Sequence, residues 1–282
     1  MDKCMDRYFV KNSTGILKKV LMCPPEYSHL KKDINKNYDI KIDRKRCNEE
    51  HSELVDAYRS NGVEVELMIP NNQLYDQVFS RDFGACIKEG YILGNFRIDI
   101  RKGETADYEQ KMNKLGIPCI ARCRNGYFEG GDFWMLDDKT IAIGILERTD
   151  QKGIDEIRSQ IEKYGYEIMS VKSSEKCLHL DMCFNIVAEK IAVICKEVLP
   201  DEFLHILKNK NYELIEVDKS NLLECYCNLQ ALGNGRVVSF KNNKKVNSAL
   251  RADGLDVIEV DITEMFKHGG GIHCMTFPLN RI

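Results

Sequence analysis

The sequence predicts an α/β fold: a five-bladed α/β propeller with a pseudo-fivefold repeat of strand–strand–helix–strand units. Three observations lead there. Short β-branched, apolar runs alternate with amphipathic stretches of helical spacing. The same order of elements recurs five times at a period of roughly 40–50 residues, a range that signals radial or solenoid repetition. No Pro- or Gly-rich linker interrupts the series, so residues 1–282 read as a single domain.

The elements follow in order along the chain. The first unit is the least regular, with a strand at 16–22, a helix at 47–60, Gly62 as its stop and a strand at 63–68. Lysines and asparagines fill 31–41, which reads as a mobile loop. In the second unit, strands at 79–88 and 91–96 flank Gly90, and a helix at 105–115 leads to a strand at 118–121. The third has strands at 128–136 and 140–145 around the turn Asp137-Asp138. Its helix at 150–164 carries Ile154, Ile157, Ile161 and Tyr164 at helical spacing, Gly165 ends it, and a strand follows at 166–171. The fourth has strands at 178–187 and 191–195, a helix at 201–209 and a strand at 212–217. The fifth has strands at 228–232 and 236–240 around Gly233-Asn234-Gly235, a helix at 242–253 and a strand at 255–260. The tail, 275–282, is expected to return as a last strand that closes the ring.

Composition narrows the function classes. The chain has 282 residues, 43% hydrophobic and 30% charged, enough for a core that buries roughly 75% of the unfolded surface. A net charge of -3 gives no basic face for nucleic acid. No apolar run approaches a membrane span, and the start lacks a signal-type apolar segment, so a cytoplasmic protein is expected. The 12 cysteines then read as reduced thiols. Their close pairs, Cys225 with Cys227 and Cys119 with Cys123, lack zinc spacing, so no metal is expected. Nor is an organic cofactor: Gly269-Gly270-Gly271 is not followed by Lys-Ser/Thr and opens no helix. A homodimer is the default assembly for a soluble protein.

Residues that carry chemistry recur at equivalent points of the repeat: Asp82, then Glu129 and Asp132, then His179 and Asp181, with Cys274 after the fifth unit. A closed ring brings such positions to its axis. A thiol beside an imidazole makes a nucleophile. Carboxylates beside that thiol raise its pKa, an objection that a bound cation removes. A planar guanidinium, which takes paired hydrogen bonds from carboxylates, is such a cation. Each residue also has a structural reading. Cys274 could be core, His179 a satisfied buried histidine, Glu129 and Asp132 a turn and its cap, and Asp82 one half of a surface pair with Arg81. Their joint placement at matched positions is what favours a site.

The strings Leu21-Met22-Cys23-Pro24-Pro25-Glu26-Tyr27, Phe79-Ser80-Arg81-Asp82, Phe128-Glu129-Gly130-Gly131-Asp132, Glu147-Arg148-Thr149-Asp150, Leu178-His179-Leu180-Asp181 and Gly269-Gly270-Gly271-Ile272-His273-Cys274 run through nearly the whole chain. In this order they resemble the guanidino-group-modifying superfamily of arginine deiminases, dimethylarginine dimethylaminohydrolases, agmatine deiminases and amidinotransferases. The resemblance implies a five-bladed α/β propeller. It implies Cys274 as nucleophile and His179 as general acid and then base, with Glu129 holding His179 or the substrate. It implies Asp82 and Asp181 as the grip on the guanidinium, Arg148 as the α-carboxylate anchor, Arg101 as a second anchor and Asp76 as the contact for the α-amino group. The small-molecule product would be citrulline. An amidinotransferase, passing the same intermediate to an amine, is the alternative, and a non-catalytic binding module lacking this set is a third reading. His273 has no assigned role: neighbours in an extended segment point to opposite sides, which turns it away from the reacting thiol.

Overall fold

A computed structural model describes residues 10–28, 42–174 and 177–282. The 31–41 loop of the sequence reading lies outside the described residues. Five three-stranded sheets form the architecture, and each belongs to one blade. The second is β3 (Gly84–Ile87), β4 (Gly90–Leu93) and β5 (Cys119–Arg122), with α2 (Glu104–Lys114) crossing from β4 to β5. The third is β6 (Phe133–Met135), β7 (Thr140–Ile145) and β8 (Glu167–Lys172), crossed by α3 (Gln151–Ile161). The fourth is β9 (Phe184–Ala188), β10 (Ile191–Ile194) and β11 (Glu213–Glu216), crossed by α4 (Asp201–Asn209). The fifth is β12 (Gln230–Gly233), β13 (Arg236–Phe240) and β14 (Asp256–Val260), crossed by α5 (Lys244–Ala252).

The first blade joins both ends of the chain. β1 (Leu17–Met22) runs parallel to β2 (Glu64–Leu67), with α1 (Arg44–Ser60) between them, and antiparallel to β15 (Phe277–Arg281). The tail therefore does return as a closing strand. In every sheet the central strand is antiparallel to one neighbour and parallel to the other. A two-strand hairpin needs only a tight turn, whereas a parallel neighbour needs a crossover, and here a helix supplies it.

Local signals explain the helices. Asp150 caps α3 by accepting from Gly153 N at 2.8 Å. Ile154, Ile157 and Ile161 lie on one face and pack on Ile141 and Ile143 of β7, each worth about 1.5–3 kcal/mol of buried apolar surface. The apolar face ends there. Residues 162–164 tighten into a 3₁₀ turn and Tyr164 is 38% exposed, so the helix is shorter than its periodicity predicts. On α1, Leu54, Val55 and Tyr58 likewise pack with Val20 and Met22. No helix is long and apolar enough to cross a membrane among the described residues.

Two departures from the predicted elements matter for the site. The strands expected from 128 and 178 start late, because Gly130–Asp132 and Leu180–Met182 form 3₁₀ turns. These turns close locally, with Asp132 N donating to Glu129 O at 3.2 Å and Met182 N to His179 O at 3.2 Å. Apolar residues on either side made the stretches read as continuous strands. A short helix, α6 (Thr263–Lys267), also precedes the glycine run and belongs to no repeat.

Neighbouring blades meet backbone to backbone at the first of these turns. A Cβ on Gly130 would sit 1.8 Å from Gly84 O and 2.3 Å from Arg81 O. Gly165 has a left-handed φ of +83° but open space around it. Gly130→Ala should therefore cost about 3 kcal/mol, the high end for overpacking, against about 1 kcal/mol of backbone strain for Gly165→Ala. Urea unfolding of both variants checks this, and equal losses would contradict the packing account.

Candidate active site

Each blade delivers polar residues from the segment just before the strand that starts it. Asp82 precedes β3, Glu129 and Asp132 precede β6, His179 and Asp181 precede β9, Asn228 precedes β12 and Cys274 precedes β15. All seven are buried. The structure thus brings together Asp82, Glu129, His179, Asp181 and Cys274, as the sequence reading expected. It adds Asn228, which that reading left as the first residue of a strand. Its place in the repeat, equivalent to that of Asp82, was the available signal.

His179 sits between two carboxylates. Its Nε2 is 2.9 Å from Glu129 Oε2 and its Nδ1 is 3.7 Å from Asp82 Oδ1. Burial opposes a charge on the ring, but Asp82, the bond to Glu129 and the nearby Asp132 outweigh it, so the imidazole stays protonated up to about 10. Burial also works against ionisation of Glu129, yet the same bond and charge hold its carboxyl below the usual range. Asp82 is pushed up by burial, opposed by His179 and Arg101.

Arg101 stands behind Asp82. Its Nη1 donates to Asp82 Oδ2 at 2.5 Å, and Nη2 and Nε reach Glu104 at 2.8 and 2.9 Å. Carbonyls of Phe79 and Asp76 take further contacts at 3.2 and 3.3 Å. The guanidinium is closed by protein partners, so this placement makes Arg101 a support for Asp82 and does not fit the second-anchor expectation. Asp76 is buried too, and its Oδ1 lies 3.2 Å from His268 Nε2. Arg148 is placed differently. Its Nη1 is 3.5 Å from Glu129 Oε2, and that atom has no hydrogen-bond partner among the described residues.

Cys274 is held by Asn228. Asn228 Nδ2 donates to the sulfur at 3.0 Å, and Asn228 Oδ1 accepts from Cys274 N at 3.2 Å. The glycines before it make these contacts fit: a Cβ on Gly271 would sit 2.5 Å from Asn228 Oδ1, and one on Gly270 would sit 2.3 Å from the Phe79 ring. Asp181 Oδ2 is 3.5 Å from the sulfur. Burial, then Asp181 and Asp82, push the thiol well above its ordinary pKa.

His273 has a place after all. Its Nδ1 is 2.8 Å from Asp181 Oδ2 and its ring stacks on Trp134 at 4.6 Å. The segment is a turn, with Thr276 N donating to His273 O at 3.0 Å, and not the extended chain assumed from sequence. Burial and then Arg81 lower the His273 pKa to about 4, so a neutral ring donates from Nδ1 to the Asp181 carboxylate. Burial raises Asp181, but this bond and the neighbouring positive groups hold it below the usual range.

Asp82 Oδ1 and Asp181 Oδ1 are among the buried carboxylate oxygens here with no hydrogen-bond partner among the described residues; Asp132 Oδ2 is another. Unpaired buried acceptors are costly, and a planar guanidinium supplies the donors they lack. Asp82, Glu129 and His179 could also offer ligand atoms to a metal, since these lie within 4.8 Å of one another. A metal there would have to displace the His179 proton, since a protonated ring has no lone pair to give.

Similarity to known proteins identifies the family. The family described as eukaryotic N,N dimethylarginine dimethylhydrolase matches residues 25–281. The chain belongs to this family. That membership makes it a hydrolase acting on guanidino groups. It is 35% identical to the Bacillus subtilis protein YkgA over 283 residues, covering 99% of this chain and 97% of that protein. It is 26% identical to N(G),N(G)-dimethylarginine dimethylaminohydrolase of Pseudomonas aeruginosa over 237 residues, 84% of this chain and 89% of that protein. The N-terminal domain of ArgZ, a cyanobacterial arginine dihydrolase solved with its product, superposes with a TM-score of 0.84 at 20% identity, covering 93% of this chain and 97% of that one.

Because the Cys274 pKa is raised, its thiolate fraction should grow with pH throughout the neutral range. Alkylation of Cys274 by iodoacetamide in the free enzyme is expected to climb about tenfold per pH unit from 7 to 9. A rate already level at pH 7 would contradict the raised thiol.

Proposed function

We propose that this guanidino hydrolase acts on arginine or an N-methylated arginine, giving citrulline plus ammonia or a methylamine through a covalent intermediate on Cys274. One observation carries the reading. A thiol, a protonated imidazole and two carboxylate oxygens without hydrogen-bond partners converge from separate blades into one buried cluster.

The charges set the order of events. In the free enzyme the thiol is protonated and His179 is charged. The substrate guanidinium pairs with Asp82 and Asp181 and adds a positive charge beside the sulfur. That charge offsets what raised the thiol, so its proton leaves to solvent. The thiolate attacks the guanidinium carbon and a C–S bond forms. His179 passes its proton to the leaving nitrogen, the C–N bond breaks, and neutral ammonia or methylamine departs. The product is a thiouronium on Cys274. Neutral His179 then takes a proton from water, whose oxygen adds to the carbon. Loss of the second water proton and cleavage of the C–S bond release the ureido product and the thiolate. Glu129 holds the His179 ring in line through both proton transfers.

Arg148 is the anchor for the far end of the substrate. Its Nη1 carries no hydrogen bond among the described residues, and its charge would otherwise be offset only at 3.5 Å by Glu129. A carboxylate takes two parallel bonds from a guanidinium. Free arginine and its methylated forms have that group, whereas agmatine does not.

The test is a panel of arginine, monomethylarginine, dimethylarginine and agmatine, with citrulline and released amine both measured. Citrulline from at least one amino acid is expected, and none from any of them with folded protein would reject the reading. Cys274→Ser should lower kcat by about 10⁴-fold or more. Arg148→Gln should raise KM for the preferred amino acid about tenfold or more with little change in kcat. A loss confined to kcat would place Arg148 elsewhere.

A further inference from the structure

Behind the catalytic cluster lies a second polar space. Arg81 and His273 line it, whereas Asp82 and Cys274, one residue along, do not. The cavity measures about 30 Å³ and is also lined by Arg281, Trp134, Gln230 and Ser13. This is room for one monatomic ion or a pair of waters.

Two buried guanidinium groups face this volume. Arg81 donates to the carbonyls of Gly130 and Phe133 at 3.1 and 3.0 Å. Arg281 donates to those of Gly15 and Ala231 at 2.6 and 2.8 Å. Neither forms an ion pair among the described residues, although their side chains are almost fully buried; the negative charges that act on Arg81 from further off are those of Asp181 and Asp82. Each guanidinium has five N–H donors, so the carbonyls leave donors over on both. The indole Nε1–H of Trp134 is a further buried donor with no partner among the described residues. Buried charges are normally paired, and two of the same sign beside one small cavity ask for an anion. Arg81 and Arg281 also repel each other, which adds to burial in lowering Arg281 to about 9, so both remain charged at neutral pH. Gln230 Oε1 is the lining acceptor that an anion would not satisfy. Its Nε2 is engaged by the Ala231 carbonyl at 3.0 Å, so the amide is held in this orientation and lends the anion no donor.

We propose that this cavity is a binding site for a single monatomic anion, a halide such as chloride, held by Arg81, Arg281 and the Trp134 N–H. The site would tie the ring together. Arg281 lies on β15, the closing strand, and Arg81 lies next to Asp82 between the first and second blades. It lies behind the guanidino site and meets it through His273, which bonds Asp181, but it does not depend on which substrate is used there.

The test uses the whole wild-type chain, since removing a buried arginine could prevent folding. Crystals grown in sodium bromide are examined by anomalous scattering at the bromine edge. Thermal unfolding is followed in parallel while bromide replaces gluconate at constant ionic strength. A bromide peak in the cavity contacting both guanidinium groups, with a Tm that rises and saturates as bromide replaces gluconate, is the expected result. No anomalous peak there, or a Tm that stays unchanged as bromide replaces gluconate, overturns the proposal.

Discussion

The His179 imidazolium, clamped by Glu129 at 2.9 Å and by Asp82 at 3.7 Å, is the interaction on which the rest of the site depends. Burying several carboxylates near one axis is expensive unless a cation is buried with them. His179 is one such cation and Arg101 is another. Arg101 in turn rests on Glu104, whose own carboxyl burial lifts to about 7 in spite of the guanidinium beside it. The chain of charges runs from the α2 end through Asp82 to the ring of His179. Each member is held by a different blade or by the helix behind it, so the fold and the charge balance stand together.

Against that background the thiol is the group left out of balance. Asn228 fixes the sulfur in place but carries no charge, and Asp181 is a negative neighbour at 3.5 Å. The resting site therefore stores a proton on both reacting groups. Under the proposed function, a cation entering between Asp82 and Asp181 would correct the imbalance and release the thiolate. Selection and activation become one event, because a neutral molecule of the same shape would leave the thiol protonated. His273 and Trp134 contribute from the rear by fixing Asp181 so that its second oxygen stays available.

Much of this was legible in the sequence. The strand at 140–145, the helix at 201–209 and the strand at 236–240 carry the bounds that their patterns predicted. Repetition alone brought the acids, the imidazole and the thiol to one axis. The missed features share a cause, namely contacts between residues far apart in the chain. Asn228 is an ordinary polar residue until it is seen beside Cys274, which lies 46 positions away. Arg101 reads as an available cation until Glu104 and Asp82 close around it. The 3₁₀ turns at 130–132 and 180–182 hide inside apolar runs, because hydrophobic pattern reports burial and not backbone geometry. The sequence shows the glycines at 270 and 271 but not what stands beside them. Phe79 and Asn228 fill that space.

The central claim is that His179 is a charged acid in the resting enzyme. The direct measurement is an NMR titration of the imidazole nitrogens of the ligand-free protein, with His179→Gln used to assign the resonance. The account predicts that the His179 ring stays protonated through pH 8 and titrates near the value of about 10 set by Asp82 and Glu129. Titration near the ordinary histidine value of about 6.5 would contradict it and leave the leaving group without its proton.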